Sequence, residues 1–143
     1  MKNNRGFSLL ELLIVVAIIL IIATIAIPSL LRSRQAANES GAVANIRTIN
    51  TAQVTYMSSH QGQYADTMTI LIADGMIDSR FDAGQTVSGY SYTVVDDSPA
   101  TDSTSYVVTA TAVSPNTGRF HYYSGPDAVV RCSGGADNGV PVQ

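Results

Sequence analysis

From residue 7 to residue 31 the chain carries one ionisable side chain, Glu11, and from 12 to 27 every residue but Thr24 is apolar. A hydrocarbon layer of about 30 Å is crossed by about 20 mostly apolar residues in a helix, so the run is long enough to span a bilayer. A helix that is apolar all round has no face to turn towards water and must be covered by lipid or by other helices. Of the chain's 143 residues, about 110 remain for a domain outside the membrane, enough for one modest core. Glu11 is the anomaly. A carboxylate inside a membrane segment costs several kcal/mol at the centre, less near an edge, unless it is paired or protonated. It is therefore a functional candidate.

Charge gives the segment a direction. Lys2 and Arg5 precede it without an acid nearby, which places the N-terminus on the cytoplasmic side; Arg32 and Arg34 beyond the other end weaken that argument without reversing it. After residue 48 three arginines (Arg80, Arg119 and Arg131) face nine aspartates. Such a surface repels phosphate, so no direct nucleic-acid binding is expected. Cys132 is the single cysteine, which excludes an internal disulfide.

The helical pattern continues past the apolar run. Residues 32–58 are rich in Ala, Arg, Asn and Gln and contain no proline. Ala42, Ile46, Ile49 and Tyr56, with Ala52 or Gln53 between, mark an apolar stripe at helical spacing. One helix over residues 7–58 is predicted, roughly 78 Å long at 1.5 Å per residue, apolar all round in its first half and amphipathic in its second. Pro28 removes a donor from the Thr24 carbonyl and kinks or loosens the helix there, a fault that a membrane helix also tolerates. A short helix is predicted over 67–77. Strands are predicted over 87–95, 105–113, 119–124 and 128–132, from alternation and β-branched or aromatic residues. Their short links imply an antiparallel meander, one face of which packs on the Ile46/Ile49/Tyr56 stripe. The fold class is α+β.

Five features of "RGFSLLELLIVVAIILIIATIAIP" occur together. They are a short basic leader, Gly6 then Phe7, an acid four residues after the Phe, an unbroken apolar run, and Pro28 seventeen residues after the acid. In this the chain resembles type IV pilins and the related pseudopilins of type II secretion. The resemblance is close from Arg5 to Pro28 and tapers off through the Ala-rich helix. It implies a pilin-like fold, a long helix packed on a small antiparallel sheet. The implied organisation is a leader, 1–6, a membrane and filament-core segment, 7–31, and a periplasmic or extracellular head, 32–143. A prepilin peptidase would cut between Gly6 and Phe7 and methylate the new amine of Phe7. The mature chain would then hold no lysine, so that amine would be its only one. Glu11 would pair with an α-amine of Phe7, either one turn away in its own helix or on the preceding subunit, where it would set the axial register. Pro28 would be the kink.

The implied partners are further copies of the chain, the peptidase, an inner-membrane assembly platform with its motor, and the membrane before assembly. The implied location is the inner membrane for the precursor and the cell surface for the filament. The first alternative is a type II secretion pseudopilin. Competitors of another kind are a monomeric membrane-anchored binding domain and a secretory signal peptide cut near Ile27. The chain departs from many relatives in lacking a cysteine pair, in carrying Leu20 where a helix-loosening glycine often stands, and in having Ala65 after "GQY".

No enzyme is expected. His60, His121 and Cys132 lie in different elements, and no nucleophile, phosphate-loop or metal spacing emerges. No cofactor is expected either, with one reservation. Asp96, Asp97 and Asp102 offer oxygen ligands suited to calcium, or form a solvated acidic turn. No aromatic residue stands between 8 and 55, so a bundle of these helices would hold no aromatic stack. The tyrosines suit strand packing better.

Overall fold

The computed structural model describes residues 7–98 and 103–133. Helix α1 runs over Leu9–Ser59 without a break, Pro28 included. Leu, Ile and Ala dominate its first half, and low helix-forming cost over so long a window offsets one proline. The chain falls into two compact units, one ending at Arg34 and one beginning at Gln35. The first is the apolar part of α1.

In the second unit the polar part of α1 lies against a four-stranded antiparallel sheet ordered β1-β2-β3-β4, with β1 at Tyr90–Asp96, β2 at Tyr106–Ala112, β3 at His121–Ser124 and β4 at Arg131–Ser133. Alternation decides which side chains meet the helix. Tyr90, Tyr92 and Val94 of β1, Tyr106, Val108 and Ala110 of β2 and Tyr122 of β3 point inward. With Ala42, Ile46, Ile49 and Ala52 of α1 they form the core. Helix α2, Met68–Ala73, adds Met68 and Leu71, and a short 3-10 turn at Ser79–Phe81 adds Phe81. Each fully buried Ile or Leu contributes about 1.5–3 kcal/mol by leaving water.

Polar side chains fix the helix on the sheet. Asn50 donates to Ser124 Oγ at 2.8 Å and accepts from the Tyr106 hydroxyl at 3.2 Å. Gln53, fully buried, donates to the Ala65 carbonyl and accepts from the Ala65 amide, both at 2.9 Å. Among the described residues no buried side-chain nitrogen or oxygen lacks a partner, as a low-dielectric interior requires.

The α+β class and the meander are as expected; the element ends differ for local reasons. Strand β1 begins at Tyr90 and not at 87, because Ser88 and Gly89 both have positive φ and close a two-residue turn in which Val87 and Tyr90 exchange both backbone hydrogen bonds. Strand β4 begins at Arg131 and not at 128. Ala128 has positive φ, and the Asp127 carboxylate takes the Val129 amide. Helix α2 stops at Ala73, because Gly75 turns left-handed and lets the Met76 amide reach the Leu71 carbonyl. Tyr56 is only half-buried, and Gln53 takes the inward position on that turn.

Candidate functional site

The N-terminal segment is the part of the molecule whose chemistry the fold leaves unused. Its large apolar side chains are exposed on every face of α1, from Phe7 at 76% to Leu31 at 43%. Contiguous apolar exposure on this scale marks a surface made for lipid or for other chains. Two hydroxyls along this part of α1 are already served. Thr24 donates to the Ile21 carbonyl at 2.7 Å and Ser33 to the Ser29 carbonyl at 3.1 Å. Neither hydroxyl brings an unmet hydrogen bond into an apolar environment. The Thr24 carbonyl lacks its usual donor, because Pro28 has no N–H.

Glu11 stands in the first turn of α1, and one of its oxygens, Oε2, accepts the Ser8 backbone N–H at 3.3 Å. The contact satisfies one of the four orphan amides that open a helix and places negative charge at the positive end of its dipole. Glu11 is otherwise exposed. Phe7 lies one turn away. Gly6 and the leader 1–6 lie outside the described residues.

Of the acidic residues considered for calcium, Asp96 and Asp97 are described. Asp96 is the last residue of β1, and its carboxylate accepts the Ser98 amide at 2.8 Å. Hydrogen bonding from Ser98 holds its pKa below the ordinary value. Asp97 lies by the Asp127–Arg131 ion pair in a shallow hollow beside Tyr123, and Asp102 lies outside the described residues. Among the described residues no three metal-ligating side chains converge.

Sequence reasoning missed the contacts that hold the head to its helix. Gln35, Asn38 and Glu39 share one face of α1 and grip the β2–β3 link. Gln35 donates to the Pro115 carbonyl, Asn38 to the Thr117 carbonyl, and Glu39 accepts from the Arg119 amide and guanidinium at 2.8–3.1 Å. Burial raises the Glu39 pKa, but the Arg119 hydrogen bonds and charge outweigh it and leave the carboxyl below its usual range. Partners 79 and 80 residues apart leave no spacing to read. A second such pair joins His60 Nε2 to Asp74 at 3.2 Å, with the imidazole stacked on Tyr56. His121 Nδ1 accepts the Ala112 amide at 3.1 Å.

Fold and segment together define the class, an α+β pilin-like protein with a prepilin-type N-terminus. The family model described as the prokaryotic N-terminal methylation motif matches residues 1–27. The chain is 44% identical to the type IV major pilin protein PilA of Myxococcus xanthus over 64 residues, 45% of this chain and 29% of that one. It is 38% identical to the type IV wide pilus major component PilA4 of Thermus thermophilus over 76 residues, 53% of this chain and 57% of that one. The matches therefore span about a third and somewhat over half of these relatives' own lengths. Both relatives are named as major components of type IV pili.

Proposed function

We propose that the chain is the structural subunit of a type IV pilus-like filament. The observation that carries this reading is the 25-residue stretch 7–31, exposed and apolar on every face, inside and just beyond the segment matched by the methylation motif. The leader is 1–6, the filament-core segment 7–31 and the head 32–143. The precursor waits in the inner membrane with its N-terminus cytoplasmic. The peptidase cuts after Gly6 and methylates Phe7, and an assembly platform with its motor extracts the mature chain. In lipid the apolar segment gains nothing from hydrophobicity by meeting other helices; packing and buried polar contacts must hold the bundle. Glu11 is the buried polar contact. On this reading its carboxylate leaves the Ser8 amide and meets the Phe7 amine of the preceding subunit, giving a head-to-tail contact that does not close and so grows a helical filament. Pro28 loosens the helix where it leaves the core.

Mass spectrometry of the mature N-terminus should find N-methyl-phenylalanine at residue 7; an intact leader or a start near Ile27 would refute the proposal. Glu11→Ala should abolish filaments seen by electron microscopy and leave cleavage intact, whereas persisting filaments would show the register contact lies elsewhere. The secretion-pseudopilin reading is not favoured, since both similar relatives are named as pilus components. A monomeric membrane-anchored domain gives no account of Glu11.

A further inference from the structure

Two cations at the far end of the apolar segment have no work inside the molecule. Arg32 and Arg34 are both exposed, and neither has a hydrogen-bond or ion-pair partner among the described residues. Three arginines further along the chain differ: Arg119 is held by Glu39, Arg131 by Asp127, and Arg80 lies 4.8 Å over the Phe81 ring. Glu39, the next acid along α1, is already taken by Arg119. Two residues apart on a helix, Arg32 and Arg34 point about 200° apart around its axis, so cationic charge faces both sides.

Their position along the helix is as informative as their freedom. The 20 residues from 12 to 31 rise about 30 Å at 1.5 Å each, the thickness of a bilayer's hydrocarbon. With Leu31 at the outer edge of the hydrocarbon, Leu12 lies at the inner edge and Glu11 just outside it. A slide of one turn towards the periplasm would carry Glu11 into hydrocarbon. A slide the other way would carry Arg32 and Arg34 in, where an unpaired guanidinium is disfavoured. Guanidinium groups at headgroup level meet phosphodiesters, which they bind with paired, charge-assisted hydrogen bonds.

We propose that Arg32 and Arg34 form a collar that binds phospholipid phosphates on the outer leaflet and sets the depth of the segment, holding Glu11 and the Gly6–Phe7 bond at the cytoplasmic interface where the bond can be cut. The collar rests on the reading of 7–31 as a membrane span before assembly. It also explains two arginines on the translocated side of the segment, where the positive-inside tendency disfavours them. Extraction into a filament then requires that both phosphate contacts be given up.

The test uses the full-length, uncleaved chain in vesicles of phosphatidylglycerol and phosphatidylethanolamine. With Cys132→Ser and a fluorophore on Ser8→Cys, quenchers attached at two depths in the lipid report where residue 8 lies. Replacing both arginines (R32L with R34L) should let three more residues enter the hydrocarbon and move the probe about 4.5 Å outward from the bilayer centre, three residues at 1.5 Å each. The lysine pair, R32K with R34K, should hold the original depth. In the chain without these probes, solid-state dephasing of nitrogen-labelled guanidinium by lipid phosphorus should fall in the leucine variant to about a third, the share left by Arg5 at the other interface. Unchanged depth or unchanged dephasing in the leucine variant overturns the collar while leaving the membrane span intact. A probe that no lipid quencher reaches, even in the arginine chain, overturns the span and the collar with it.

Discussion

Gly118 shows how narrowly single residues are specified. A Cβ built on it would run into the Tyr90 hydroxyl, which donates to the Phe120 carbonyl at 2.9 Å. Gly118→Ala must displace a fully buried tyrosine, and overpacking of this kind costs about 1–3 kcal/mol. The melting temperature of the head should fall accordingly. Glu39 gives a pH dependence of definite sign. Its folded-state pKa is lowered, so its stabilisation is complete above the unfolded carboxyl value, about 4.3, and is lost as pH falls through the lower folded value. Denaturant titrations from about pH 6 down to about pH 3 should show a smaller loss of stability in Glu39→Gln than in the parent. Asp127, lowered by Arg131 and the Val129 amide, and Asp96, lowered by Ser98, are common to both proteins and contribute to the remaining slope. The core tyrosines contribute nothing at these pH values. Burial pushes Tyr106 and Tyr122 to about 12, and both stay neutral.

At the scale of elements, α1 is a single helix with two occupations. Ile46 is fully buried under the sheet, and Ile46→Ala should cost about 2–5 kcal/mol as transfer and cavity terms combine. Ile18→Ala, at a position 52% exposed, should leave the unfolding of the head unmoved. Calorimetry of both variants would separate the two parts of the helix. What could be read in advance follows the same division. The apolar run, the stripe at 42, 46 and 49 and the four strands were legible, because burial imposes a period on the sequence. Strand starts were less so. The positive φ at Ser88 and at Ala128 falls on residues that rarely adopt it, and local turns closed by backbone and Asp127 hydrogen bonds accompany both. At the candidate site Glu11 and Pro28 were conspicuous as exceptions to composition. The Glu39–Arg119 grip was silent, since nothing in either neighbourhood announces the other.

For the whole molecule, all the buried side chains described belong to residues 39–130. Removing residues 1–31 should therefore yield a soluble head with native circular dichroism and a cooperative melt. Insolubility or loss of cooperativity would show that the apolar segment contributes to the core. The same division leaves the apolar segment to whatever surrounds the protein and the head to its own stability.

The Gln53 side chain, with its two hydrogen bonds to Ala65, does the work of a peptide group from a neighbouring strand. It ties down the return from α1 at one residue, and the turn between them rests on backbone bonds from Gly62 to Met57 and from Gln63 to His60. Gln61 to Gln63 are exposed, and a Cβ on Gly62 would meet nothing within 4 Å. Foreign residues spliced between Gln61 and Gly62 would hang from a loop whose far end is already moored. A short epitope placed there should leave the melting temperature of the head unchanged, and in a filament it would recur once per subunit, a built-in ruler for counting them.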